Sequence, residues 1–204
     1  MKLYQSSHSP NSRRVRIFLA EKVLEVPFVD VDISKGRSHT PEYLKINPLG
    51  QVPALEMDDG TAIAESVAIC RYFEVMHPEP PLFGCSPMEI ARIEMWQRRI
   101  ELNWFVPLIE YWHNSSPMWA DRIGQIPVLA QHNSAAIGRF LTWLDGDMAD
   151  REYIAGDRFT IADIIALATM DHANSLYVGL EVSKELENLA RWHETVSSRP
   201  SARA

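Results

Sequence analysis

The 204 residues carry 20 lysines and arginines against 27 aspartates and glutamates, a formal net charge of −7, which argues against a nucleic-acid partner because such a contact ordinarily needs a basic face. Hydrophobic residues make up 46% of the chain, enough for two small domain cores, yet no apolar run approaches the roughly 20 residues of a membrane span. Cys70 and Cys85 stand far apart without CxxC spacing, and the N-terminus turns polar by Gln5, so neither a disulfide framework, a zinc site nor a secretory leader is indicated and a soluble cytoplasmic protein is expected.

In chain order, residues 2–5 read as a strand, 11–24 as a helix, 27–33 as a strand and 41–46 as a short helix. Residues 52–57 and 61–63 flank Asp58-Asp59-Gly60, a hairpin signal, and a helix is predicted over 65–76. The order is β-α-β-α-β-β-α. His77-Pro78-Glu79-Pro80-Pro81-Leu82 is a stiff connector, which sets the predicted domains at 1–77 and 87–204 with a linker at 78–86.

After the linker the pattern is helical throughout. Residues 87–113 read as one long segment, and Pro107 inside it removes a helical hydrogen bond and should kink or weaken the rod. Phe159-Thr160-Ile161-Ala162-Asp163-Ile164 reads as a helix start with Thr160 as N-cap and Asp163 returning its carboxylate to the cap. The helix that follows is apolar nearly all round and should lie at the centre of the second domain. Leu186, Leu189, Trp192 and Val196 form a closing amphipathic helix that stops before Pro200.

The strongest functional signal is Asn47-Pro48-Leu49-Gly50-Gln51-Val52-Pro53-Ala54-Leu55, followed by Ala64-Glu65-Ser66 at the head of a helical pattern. Pro53 donates no backbone hydrogen bond, so it suits a cis turn that leaves the Val52 N–H and C=O free to pair with an extended peptide. Glu65 and Ser66 sit where a helix N-terminus offers free N–H groups to a carboxylate, with Ser66 adding a hydroxyl and Glu65 a site for an ammonium group. A small peptide-like ligand with an amino-acid head fits both halves, and glutathione is such a molecule.

At these residues the sequence resembles the cytosolic glutathione transferase superfamily over nearly the whole chain. The resemblance implies an α/β thioredoxin-like N-terminal domain (β-α-β-α-β-β-α) followed by an all-α helical-bundle domain, glutathione as co-substrate, no metal, a homodimer, and conjugation of the glutathione thiolate to small electrophilic apolar substrates in detoxification. Gln51, Val52, Pro53, Glu65 and Ser66 are its glutathione contacts, and His39 stands where several classes carry a lysine.

The loop Ser6-Ser7-His8-Ser9-Pro10-Asn11-Ser12 offers serines and an asparagine but neither cysteine nor tyrosine. Ser9, five residues before Arg14-Val15, resembles the catalytic serine of the phi and zeta classes, and Ser9-Pro10-Asn11 resembles the Thr-Pro-Asn of the bacterial nu class, in which Asn11 shares the work. Arg14-Val15-Arg16-Ile17, Leu19-Ala20-Glu21-Lys22 and Tyr111-Trp112-His113 before Ser116-Pro117 look like the bacterial and fungal subgroup related to the second yeast glutathione transferase. In that subgroup a water held by the helical domain replaces the activating side chain, and His113 with Ser115 or Ser116 are its matching holders. Trp104, Tyr111 and Trp112, around Pro107, together with His113, are the candidates for the second-substrate pocket. Two alternatives accompany this reading: a glutathione-dependent disulfide or peroxide reductase, and a non-catalytic binding or scaffold protein of the same fold.

Overall fold

The computed structural model describes residues 1–176 and 185–204. They divide into two compact units, Met1–Leu82 with Pro200–Ala204, and Phe83–Arg199. Residues 200–204 thus group with the first unit, although they follow the second in sequence. No helix among the described residues is long and apolar enough to cross a membrane.

The first unit is built on a sheet of strands β1 (Lys2–Gln5), β2 (Phe28–Asp30), β3 (Ala54–Glu56) and β4 (Ala62–Ala64). Its order is β2-β1-β3-β4, with β1 and β2 parallel and β3 antiparallel to both β1 and β4. The parallel pair needs a crossover, supplied by helix α1 (Pro10–Glu21). Helix α2 (Pro41–Leu44) precedes β3, and helix α3 (Ser66–Met76) follows β4. The predicted β-α-β-α-β-β-α order is the one observed, with 3₁₀ turns at Ile33–Lys35 and Arg37–His39 inserted after β2.

Helix α1 buries Val15, Phe18 and Leu19, and α3 buries Ile69, Cys70 and Phe73. The first set is spaced i, i+3, i+4 and the second i, i+1, i+4, so each falls on one stripe that its helix turns toward a core. Burial pushes the Cys70 thiol far up, so it is packed as a small apolar group and is not ionised. At the end of α1 the side chain of Lys22 is fully buried, with its Nζ 2.6 Å from the Glu74 carboxylate. The same ammonium donates to the carbonyls of His77 at 2.7 Å and Pro80 at 2.6 Å, which fastens the proline-rich connector to the unit. The 3₁₀ turn Pro200–Arg203 lies on α1: Arg13 donates to the Ala202 carbonyl at 2.9 Å, and the Ser201 hydroxyl bonds Glu21.

The second unit is helical: α4 (Pro87–Ile100), α5 (Val106–Ser115), α6 (Pro127–Asp147), α7 (Ile161–Leu176) and α8 (Glu187–Ser197). Between α4 and α5 the chain forms a π-helical turn at Glu101–Phe105. The irregularity expected from Pro107 is found just ahead of it: Pro107 sits in the first turn of α5, and the chain widens into the π-helical turn that precedes it.

Residues Ile161 to Met170 of α7 are all buried, as its all-round apolar pattern requires. Asp163, with no exposed surface, closes the cap of this helix. One carboxylate oxygen accepts from the Ile154 N–H at 2.8 Å and the Trp192 indole at 2.9 Å. The other accepts from the Thr160 N–H at 2.9 Å and the Thr160 hydroxyl at 3.0 Å. One side chain thus joins the start of α7, the loop before it and α8.

Candidate functional site

The strand register decides where the candidate residues meet. Tyr4 pairs with Ala54, and Ala54 with Ala64. Because β3 runs against both neighbours, the residues leaving β1, entering β3 and leaving β4 lie at one end of the sheet. That end holds the Ser6–Ser12 loop, Val52-Pro53 and Glu65-Ser66. Residues 33–39, which follow β2, leave from the same end because β2 is parallel to β1.

Ser9 is the N-cap of α1, with extended φ and ψ of −86° and 121°. Its hydroxyl oxygen accepts from the Ser12 N–H at 3.3 Å, a bond that leaves its own proton available to donate elsewhere. Ser12 in turn accepts from the Ser6 N–H at 3.2 Å, so the loop is folded around its own serines. Asn11 follows at the first turn of α1 and is half-buried. Ser7 and His8 are exposed.

The Val52–Pro53 peptide is cis. Both residues are buried and precede β3, and among the described residues no turn, loop or cap bond takes up the Val52 N–H or C=O. The Gln51 side chain is exposed, whereas its carbonyl receives the Tyr43 hydroxyl at 2.6 Å and the Asn47 amide at 2.8 Å. Sequence reasoning missed these two residues; the signal was Asn47 itself, which opens the motif, with Tyr43 four residues earlier on the turn of α2. His39 is exposed and its ring lies against Gly50. A Cβ on Gly50 would stand 2.5 Å from that ring, and φ there is +65°, in the left-handed region that favours glycine.

Glu65 holds φ 67° and ψ 118° at the head of α3 and makes no cap bond to the helix. A non-glycine residue at positive φ costs roughly 1–3 kcal/mol and persists where its surroundings require it. Its side chain is exposed, while Ser66 beside it is buried. The Ser66 hydroxyl receives Arg14 Nη1 at 3.5 Å. Arg14 is almost wholly buried, so α1 places a guanidinium behind the N-terminus of α3. The free N–H groups of that terminus and this cation give the spot a positive character suited to a carboxylate.

In the second unit Tyr111, Trp112 and His113 are half-buried on the last turns of α5. Trp112 meets the edge of Trp119 at 5.1 Å and of His172 at 5.8 Å, and His113 meets Trp119 at 4.4 Å. Burial lowers the His113 imidazole against the opposing pull of Glu110, so it is neutral at pH 7. The Gln125 amide donates to the carbonyls of His113 at 2.7 Å and Ser116 at 2.8 Å, which fixes the end of the helix. The Ser115 hydroxyl is spent on the Tyr111 carbonyl at 2.7 Å, and Ser116 accepts from the Met118 N–H. Trp104 departs from the expectation: it has no exposed surface, so its ring is core packing behind the π-helical turn and not an open wall.

Residues 3–81 match the family model "Glutathione S-transferase, N-terminal domain", and residues 128–200 match "Glutathione S-transferase, C-terminal domain". The chain is similar to Glutathione S-transferase 2 of Saccharomyces cerevisiae, 36% identical over 100% of this chain and 88% of the relative. The crystal structure of Gtt2 from Saccharomyces cerevisiae has a TM-score of 0.92 at 35% identity, covering 100% of this chain and 99% of that one. A glutathione S-transferase of class Gtt2 from Vibrio parahaemolyticus has a TM-score of 0.86 at 33% identity, covering 100% and 96%.

Proposed function

The chain belongs to the glutathione transferase family, with its thioredoxin-like and helical domains both present, and on that premise we propose that it conjugates the thiol of glutathione to small, apolar electrophiles in the cytoplasm. Glutathione takes the end of the sheet described above. Its central peptide pairs with Val52, its amino-acid head lies at Glu65 and Ser66, and Gln51 and His39 contact the remainder. The observation that carries this reading is the meeting of an unclaimed Val52 edge, a helix N-terminus backed by Arg14 and the Ser9 hydroxyl at one end of one sheet.

A thiol of this kind has a pKa near ~8.5, so only a few per cent is thiolate at neutral pH. The Ser9 proton, available because the oxygen and not the hydrogen serves the helix cap, stabilises the sulfur anion by donation, with Asn11 at the same helix start. The thiol proton leaves to solvent, the sulfur electron pair forms the new carbon–sulfur bond, and the electrophile's leaving group or π pair accepts the displaced electrons. The electrophile is assigned to the aromatic surface of Tyr111, Trp112 and His113.

Ser9→Ala is expected to lower kcat/KM for chloronitrobenzene conjugation about 10- to 100-fold, the worth of one donor to an anion, and to raise the pH at which bound glutathione shows thiolate absorbance. Ser9→Thr, which keeps cap and donor, should restore most of the rate. Unchanged absorbance in Ser9→Ala would move the activation to Asn11 or to a water held near His113.

We further assign a homodimer to the second unit's exposed stripe. Met88, Met95 and Leu102 are 71%, 41% and 53% exposed, and their seven-residue spacing aligns them along two turns each of the helical rod. Sedimentation should give twice the chain mass of 23.3 kDa, and Met95→Glu with Leu102→Glu should give the monomer; a wild-type monomer at micromolar concentration would end this assignment.

A further inference from the structure

The Gln51 carbonyl is gripped from inside the first unit by two donors, the Tyr43 hydroxyl at 2.6 Å and the Asn47 side-chain amide at 2.8 Å. Both donors are buried, Tyr43 5% and Asn47 4% exposed. Val52–Pro53 and Glu79–Pro80 are the cis peptides among the described residues, so the Gln51–Val52 peptide is trans. In a planar trans peptide the C=O and the N–H point in opposite directions. Turning the Gln51 carbonyl toward Tyr43 and Asn47 therefore turns the Val52 N–H away from them.

We propose that Tyr43 and Asn47 are positioning residues for glutathione: their paired grip on the Gln51 carbonyl aims the Val52 N–H at the ligand's central peptide carbonyl. The inference rests on the reading that Val52 is the edge along which glutathione lies. A carbonyl oxygen has two lone pairs, and here each has a donor, so rotating this peptide breaks two buried bonds at once. Burial pushes the Tyr43 phenol up to about 12, so it donates at every working pH. Its ring is held edge-on by Tyr4 at 5.7 Å, and Tyr4 is itself anchored by donating to Glu56 at 2.9 Å. Asn47 is oriented from its other end, where its side-chain oxygen accepts the Leu49 N–H at 3.2 Å. The N–H end of its amide is thereby the end that faces Gln51.

The test compares wild type with Tyr43→Phe and Asn47→Ala. Glutathione affinity is measured by calorimetry, kcat and KM by conjugation, and amide hydrogen exchange with and without glutathione at Val52, Ser66 and Val67. Each variant is expected to raise the glutathione Kd and KM about three- to tenfold, the scale of one hydrogen bond, with kcat within about twofold. Glutathione should protect the Val52 amide in wild type and cease to do so in the variants, while still slowing exchange at Ser66 and Val67. Tyr43→Phe deletes one oxygen and keeps the ring in place, so it reports on the grip even if Asn47→Ala lowers stability. Variants that bind like wild type, or that keep Val52 protected, overturn the positioning role and leave the Val52 reading intact. Loss of protection at all three amides also overturns it, because the effect is then a general loosening. A wild type in which glutathione leaves Val52 unprotected overturns the underlying reading instead.

Discussion

Asp163→Asn is expected to destabilise the protein by about 3 kcal/mol, lowering the melting temperature by about 6–12 °C for a chain of this size. The carboxylate accepts four hydrogen bonds at 2.8–3.0 Å, two on each oxygen. An amide keeps one of those oxygens and sets an NH₂ against the donors on the other. The Thr160 hydroxyl can rotate to accept from that NH₂, but the Thr160 N–H has no such freedom, and in the reverse orientation the Ile154 N–H and the Trp192 indole are both left facing a donor. One opposing effect is real: burial pushes the Asp163 carboxyl up against its four donors, so neutralising it returns part of the cost of burying a charge. The donors decide the sign, because each buried N–H without an acceptor costs about 1–3 kcal/mol. Thr160→Val, which loses only the hydroxyl bond, should cost about 1 kcal/mol. Calorimetric melting of the two variants checks both values, and a drop under about 1 kcal/mol for Asp163→Asn would show that the network does not hold the second unit together.

Lys22→Met should cost about 3–5 kcal/mol, the scale for removing one partner of a buried ion pair. The methionine fills the space of the lysine stem, so the loss is electrostatic and not a cavity. It takes the ammonium away from Glu74 at 2.6 Å and from the carbonyls of His77 and Pro80. The exposed connector around His77–Pro81 then loses its fastening, and faster proteolytic cleavage there should accompany the drop in denaturation midpoint. Removing both charges, as Lys22→Met with Glu74→Leu, should recover more than half of the loss, since an apolar pair avoids the desolvation that the ion pair has to offset. If the double variant is no more stable than the single one, the carbonyl contacts and not the pair carry the energy.

Most of the first unit was legible because its signals are local. Extended patterns marked the strands, Asp58-Asp59-Gly60 marked the hairpin, and the helix expected from residue 11 starts at Pro10. The Thr160 and Asp163 cap was legible for the same reason, being a pattern four residues long. The parts of Asp163's network that were hidden, Ile154 and Trp192, come from 9 and 29 residues away, and no periodicity announces a partner at such distances. Tyr43 and Asn47 were hidden differently: their target is a backbone carbonyl, which has no letter in the sequence. Pro107 marked where the helix loses a bond but not how the chain absorbs the loss, which here falls to the π-helical turn ahead of it. Trp104 sits in that turn, and an aromatic residue reads alike whether it faces a ligand or the core.

The 3₁₀ turn of residues 200–203, bonded to Arg13 and Glu21 of α1, has a consequence for the order in which the molecule is made. A ribosome delivers the sheet, α1 and α3 long before it delivers residues 200–204, so the nascent first unit waits, short of one of its own pieces, while the whole helical unit is synthesised. Cutting the chain at the connector would separate two sequences without yielding two finished bodies, because residues 200–204, which follow the helical unit in sequence, are among those that complete the first.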